Sequence, residues 1–252
     1  MTKKIAFMGT PEFSVPILKS INDNYKLISV FTQPPRKSKR GHKINKTPIH
    51  ILAENLNIPI KTPNKIENEL DYIKSLDLDL VIVVAYGQII PKKVLDLSKK
   101  GFINIHASLL PKWRGAAPIQ RSILGMDKIT GISIMKISQK LDEGPVCNSY
   151  PLNILENENA KSLTDRLSKL SAEKILENIK NIFKDNLKFV EQDHTKATYA
   201  KKLIKSEGKI DWNENPLKII AKIVDRLTGI SLNEIELFMF ADIFLIVFDG
   251  AA

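Results

Sequence analysis

In the stretch GFINIHASLLPKWRGAAPIQ, Gly101 to Gln120, Asn104 and His106 stand two residues apart. In an extended strand that spacing sends both side chains from one face, while Ile103 and Ile105 leave the other. An imidazole can move a proton near neutral pH, and a carboxamide can donate to an oxygen as it becomes negative. Together they suit the tetrahedral oxyanion of acyl transfer. Downstream, Asp142 lies in KLDEGP, where Gly144 and Pro145 make a turn able to hold a carboxylate in place. A carboxylate beside a His orients the ring and favours its charged form. The trio brings no Ser or Cys nucleophile, which points to acyl transfer directly onto a substrate amine or water. Each member has a plainer reading as well: a strand-end His held only by structural hydrogen bonds, and a turn Asp capping its own backbone. Whether His106 or Asp142 carries the proton stays open at this level.

These side chains need a scaffold. KIAFMG (Lys4 to Gly9), LISVFTQ (Leu27 to Gln33), DLVIVVAYG (Asp79 to Gly87) and FINIHAS (Phe102 to Ser108) are short apolar runs separated by longer amphipathic segments. That rhythm predicts strands of a parallel sheet covered by helices on both faces, with ligands at the carboxyl ends of the strands. Thr47 and Pro48 predict an N-cap and first helical position. ITGISIMKIS and VCNSYPL predict two β segments joined across QKLDEGP. A long helix follows, with Leu163, Leu167, Leu170, Ile175, Leu176, Ile179, Ile182 and Phe183 as its core stripe and Ser162 with Asp165 as its capping pair. GTPEFSVPIL after the first strand has one glycine and two prolines, so neither a dinucleotide fingerprint nor a P-loop is present.

At 252 residues, 43% hydrophobic and 26% charged, the chain has the composition of a folded soluble protein, long enough to bury one large core, and not of a disordered or coiled-coil one. Cys147 is the single cysteine, so an internal disulfide and a cysteine-held metal cluster are excluded, in keeping with a reducing cytoplasm. The four His are scattered without ligand spacing, and no metal is expected. The apolar run from Ile235 to Phe248, interrupted by Glu236 and Asp242, is too short and too charged for a membrane span. The formal net charge is +10 and is uneven: residues 1–110 hold 17 of the 38 basic side chains but 9 of the 28 acidic ones. In PPRKSKRGHKINK, Arg36, Lys37, Lys39, Arg40, Lys43 and Lys46 fall within eleven residues with no acid between them. Such a run is either a solvated loop or a track for the phosphates of a nucleic acid.

Taken in order, MGTPEFSVPIL, FTQPPRKSKRGHK, VVAYGQIIPKKVL, INIHASLLPKWRGAAPIQRSI, TGISIMKISQKLDEGPV and TYAKKLIKSEGKIDW resemble the methionyl-tRNA formyltransferase family from Lys4 to about Ala221. The wider superfamily shares the Asn-x-His, Leu-Pro and Leu-Asp-x-Gly elements; RGAAPIQ and the basic insertion favour the tRNA member. The resemblance implies a Rossmann-like, doubly wound, mostly parallel sheet with an incomplete C-terminal appendage. It implies transfer of the formyl group of 10-formyltetrahydrofolate, as donor substrate, to initiator methionyl-tRNA for translation initiation. By match to the motifs, Asn104, His106 and Asp142 are catalytic. Ser108, Leu109, Leu110 and Pro111 line the folate site, and Arg36, Lys37, Lys39, Arg40 and Lys43 contact tRNA. A cytoplasmic monomer without metal or membrane partner is expected. So is a division into a catalytic domain (1–188), a linker (189–208) and a remnant or altered start of a tRNA-binding domain (209–252), the similarity breaking off near Ile223 to Arg226. Alternative readings are another formyl-folate-dependent transferase or hydrolase, and a non-catalytic remnant that binds RNA or folate.

Overall fold

The computed structural model describes residues 3–37, 44–156 and 158–208, together with Asn213 and Ile219. In chain order the elements are β1 (Ile5–Gly9), α1 (Val15–Tyr25), β2 (Ser29–Phe31), β3 (Arg36–Lys37), β4 (Ile44–Asn45), α2 (Pro48–Asn55), β5 (Ile60–Lys61), α3 (Leu70–Leu76) and β6 (Leu80–Val84). Then come α4 (Lys92–Leu95), β7 (Phe102–His106), β8 (Arg114–Gly115), α5 (Pro118–Leu124), β9 (Ile129–Lys136), β10 (Val146–Asn153), α6 (Ala160–Phe183) and β11 (Tyr199–Ala200).

Seven strands form one sheet in the order β10-β9-β7-β6-β1-β2-β5. The five from β7 to β5 run parallel, and β9 and β10 close that side antiparallel. This is the expected doubly wound, mostly parallel α/β fold. β1 and β6 are buried at every position, which is why they read as unbroken apolar runs instead of alternating ones. One face carries Ile5, Phe7, Leu80, Ile82, Ile103 and Ile105 against α1 and α6. The other carries Ala6, Met8, Val81, Val83 and Phe102 against α3 and α4. Asn104 and His106 share the second face with Phe102 by the period of the strand.

Thr47 caps α2 as predicted, its Oγ1 accepting from the His50 amide at 3.0 Å. The cap of α6 differs from the expectation. Asn159, with an extended backbone, caps the helix by accepting from the Ser162 amide at 2.8 Å, so Ser162 lies inside the first turn. Asp165 pairs instead with Lys161, one turn back on the same helix. The stretch 189–208, read as a linker, contains Gln192 and Ala200, 7% and 0% exposed, and its β11 pairs in parallel with β8. The expected change of sequence at Ile223 to Arg226 lies outside the described residues, as does most of 209–252.

Candidate active site

β7 delivers His106 to the carboxyl end of the sheet, 5% exposed. Its Nδ1 lies 2.9 Å from Ser108 Oγ, and Ser108 Oγ donates to the Lys112 carbonyl at 2.5 Å. A hydroxyl has one proton to give, and here the carbonyl takes it, so Ser108 must accept from His106 Nδ1–H. The network thereby assigns a proton to Nδ1 and leaves Nε2 as the ring atom that can gain or release one. The turn below is fixed by Ser133, the residue paired with His106 in β9, which donates to the Ser108 carbonyl and accepts from the Leu110 amide.

Nε2 faces Asp142 Oδ2 at 3.2 Å, an electrostatic contact without the alignment of a hydrogen bond, so this buried nitrogen retains bonding capacity for another group. The loop bearing Asp142 leaves the sheet level with Phe102, where the Ile137 amide bonds to the Phe102 carbonyl at 2.8 Å, and returns at Val146. Asp142 adopts the left-handed region at φ +50°, which Asp tolerates better than most residues. Its Oδ2 also accepts from the Gly115 amide at 2.8 Å. Burial alone pushes its carboxyl up, but His106, the Gly115 amide and the Arg114 charge together outweigh burial and hold it below the usual carboxylate value. Asn104, two residues before His106, is half-buried, and its side-chain amide makes no hydrogen bond among the described residues. His106 and Asp142 are thus in contact, and Asn104 precedes His106 by two residues on the same face of β7.

Two further residues were missed by sequence reasoning. Arg114 is 1% exposed and donates through Nε and Nη2 to Gln192 Oε1 at 3.1 and 2.8 Å. Glu143 lies 3.5 Å from its Nη1, and His194 Nδ1 accepts from the same guanidinium at 3.2 Å. Gln192 in turn donates to the Asp142 and Gly144 carbonyls at 2.8 and 2.7 Å. A polar stretch with no periodicity gave no sign that these side chains turn inward.

The sequence model of the formyl transferase family matches residues 3–179. The chain belongs to the formyl transferase family. It is 63% identical over 227 residues to the methionyl-tRNA formyltransferase of Pelagibacter ubique (strain HTCC1062), covering 88% of this chain and 73% of that one. It is 42% identical over 226 residues to the methionyl-tRNA formyltransferase of Coxiella burnetii (strain RSA 331), covering 88% and 72%. In fold it resembles an N-formyltransferase from Helicobacter canadensis crystallised with folinic acid and dTDP-3-aminofucose, with TM-score 0.70, 20% identity and coverage of 88% and 79%. It also resembles the phosphoribosylglycinamide formyltransferase of Anaplasma phagocytophilum, with TM-score 0.60, 21% identity and coverage of 73% and 89%. Movement of a formyl group is thus the chemistry of this chain's family.

In this formyl transferase the residues expected for a folate site divide. Ser108 is fully buried and engaged with His106, whereas Leu109, Leu110 and Pro111 are half-buried on the turn that follows. The sheet order reverses between β1 and β6, the topological switch point where open α/β sheets bind ligands. A pocket of about 410 Å³ lies there, lined by Thr10 and Pro11 after β1, Gln33 after β2 and Tyr86 after β6. Thr10 Oγ1 and Gln33 Nε2 both donate to the Tyr86 carbonyl, at 2.8 and 3.1 Å, and bind its walls together. Arg36 and Lys46, from the β3–β4 hairpin, border the same pocket. Arg36 is exposed, whereas Lys46 is paired with Glu54. Lys37 stands in β3, and Lys39, Arg40 and Lys43 lie outside the described residues. No helix among the described residues is long and apolar enough to cross a membrane, and none of their His, Cys, Asp and Glu side chains gather into a metal-holding group.

Proposed function

We propose that this chain transfers the formyl group of 10-formyltetrahydrofolate to the α-amino group of initiator methionyl-tRNA. The observation that carries the chemistry is the buried Nε2 of His106, facing Asp142 with no aligned partner of its own, with Asn104 two residues before it on the same face of β7. The neutral amine attacks the formyl carbon; the new C–N bond forms as the carbonyl electrons move onto oxygen. Asn104 donates to that oxyanion, a contribution of about a hundredfold to a thousandfold in rate for one such donor. The intermediate collapses by breaking the bond to N10 of the folate, and the proton lost by the amine ends on N10. His106 Nε2 is suited to carry that proton, because Asp142, held below the usual carboxylate value, stays an anion that stabilises the charged ring.

The assignment of substrates rests on different support. Ile89, 84% exposed, follows β6, and Leu141, 62% exposed, precedes Asp142. Exposed apolar side chains of this kind, like the half-buried Leu109 to Pro111 on the turn after β7, are the residue types that pack on a flat heteroaromatic ring. The switch-point pocket is one to two strand spacings from β7, about 5–10 Å, and is bordered by the basic hairpin. That suits a nucleotide end whose phosphates lie toward Arg36 and its neighbours. Kinship with relatives named for methionyl-tRNA supports the same acceptor. The test is acceptor choice: with 10-formyltetrahydrofolate as donor, initiator methionyl-tRNA is expected to be formylated in preference to a dTDP-amino sugar or glycinamide ribonucleotide. Turnover of a small amine alone would sink the tRNA assignment while leaving the site chemistry standing.

A further inference from the structure

The span matched by the family model ends at residue 179, yet the chain beyond it returns to the site. Val190 and Val146 exchange two backbone hydrogen bonds of 2.9 Å, which ties the returning chain to the end of the Asp142 loop. Farther on, the Arg114 amide bonds to the Thr198 carbonyl at 2.8 Å and the Ala116 amide to Ala200 at 2.9 Å, which ties it to β8. β8 also supplies the Gly115 amide that holds the Asp142 carboxylate. Between those two ties stands Gln192. Every hydrogen-bonding group of its side chain is directed: Oε1 accepts twice from Arg114, and Nε2 donates to the carbonyls of Asp142 and Gly144.

We propose that Gln192, anchored by the buried Arg114, is a positioning residue that holds the Asp142 loop against His106, so that the segment after α6 completes the active site. The inference rests on the formyl-transfer reading of that site. A carboxamide is the side chain that does this, because it can accept from a guanidinium at one atom and donate to two carbonyls at the other. Glutamate keeps the shape and the Arg114 contact but has no proton for the two carbonyls. The charged and titratable groups around Asp142 are His106, Arg114, Glu143 and His194, and none of them can replace those two donations, since Arg114 is committed to Gln192, Glu143 and His194.

The experiment compares Gln192→Ala and Gln192→Glu with the wild-type full chain. Thermal midpoint, saturating rate and half-saturating concentrations are measured together with the titration of the Asp142 carboxyl by ¹³C NMR. The expected result is a saturating rate lowered about ten- to a hundredfold, the scale of a misplaced catalytic group, in both variants. Half-saturation for donor and acceptor should stay within about threefold, and the Asp142 titration should move upward toward the usual carboxylate range. Should Gln192→Ala fold poorly, the uncharged and similarly long Gln192→Met takes its place, because the carboxylate of Gln192→Glu would raise the Asp142 titration by its charge alone. Folded variants with wild-type rates and an unmoved Asp142 titration would overturn the proposal. So would a rate loss that disappears once corrected for the folded fraction. If the wild-type chain formylates no acceptor, the functional reading fails by itself, and the Asp142 titration in the uncharged variant still decides whether the loop is held as described.

Discussion

Removing the Ser108 hydroxyl leaves His106 Nδ1–H without its acceptor, so the ring loses the contact that fixes its orientation and its tautomer. Ser108→Ala is expected to lower turnover about two- to tenfold, the worth of one ordinary hydrogen bond, with donor affinity unchanged; steady-state kinetics in both substrates checks this. On the proposed mechanism Asn104 donates to the oxyanion, so Asn104→Ala should cost about a hundredfold to a thousandfold in rate with little change in half-saturation. Asp142 also links the site to pH. Its carboxyl is held below the usual value, so the stability it contributes is complete above the unfolded-state value near pH 4. That stability is lost as pH falls through the lower folded value. Asp142→Asn should therefore flatten the acid limb of a stability profile while leaving stability at neutral pH less favourable; equal acid limbs in the two proteins would contradict this ionisation.

Among the elements, β8 depends on a backbone that a side chain would disturb. Gly115 sits at φ +116°, and a Cβ there would meet the Ala200 carbonyl oxygen at 2.9 Å. Gly115→Ala is expected to destabilise the protein by about 1–3 kcal/mol, read as a lower denaturant midpoint, and to slow turnover because the same residue's amide holds Asp142. Leu167 tests the other face: fully buried on α6, its change to Ala should cost about 2–5 kcal/mol without altering the rate per folded molecule. What the sequence revealed of these elements follows from how their signals are carried. β1 and β6 declare themselves through unbroken apolar runs and β7 through its alternation, whose period of two is enough to put Asn104 and His106 on one face. The helix after β10 was legible in its apolar stripe but not in its cap, because Ser162 and Asn159 are both good capping residues and only the backbone at Asn159 decides between them. Arg114 and Gln192 were illegible for a different reason. Their burial depends on each other across 78 positions, and neither sits in a periodic pattern. That the Ser108 hydroxyl binds its own His was likewise not legible, since the resemblance speaks only of which residues line the folate site.

For the whole molecule, the uneven charge makes an ionic prediction. If the hairpin carrying Arg36 meets phosphates, Arg36→Ala should weaken RNA binding and reduce the slope of log affinity against log salt by about 0.7–0.9, the value for one contact. An unchanged slope would assign Arg36 to a solvated surface. Arg36, the switch-point pocket and the His106–Asp142 pair all lie at the carboxyl ends of the strands, an arrangement that suits the proposed acceptor, which is both a polyanion and an amine. The most direct measurement is transfer of labelled formyl from 10-formyltetrahydrofolate to initiator methionyl-tRNA by the wild-type chain and by His106→Ala, at saturating concentrations of both substrates. The account predicts transfer by the wild type and a fall of about a hundredfold to ten-thousandfold in the variant. Equal rates in the two proteins, or no transfer by a folded wild-type chain, would contradict it.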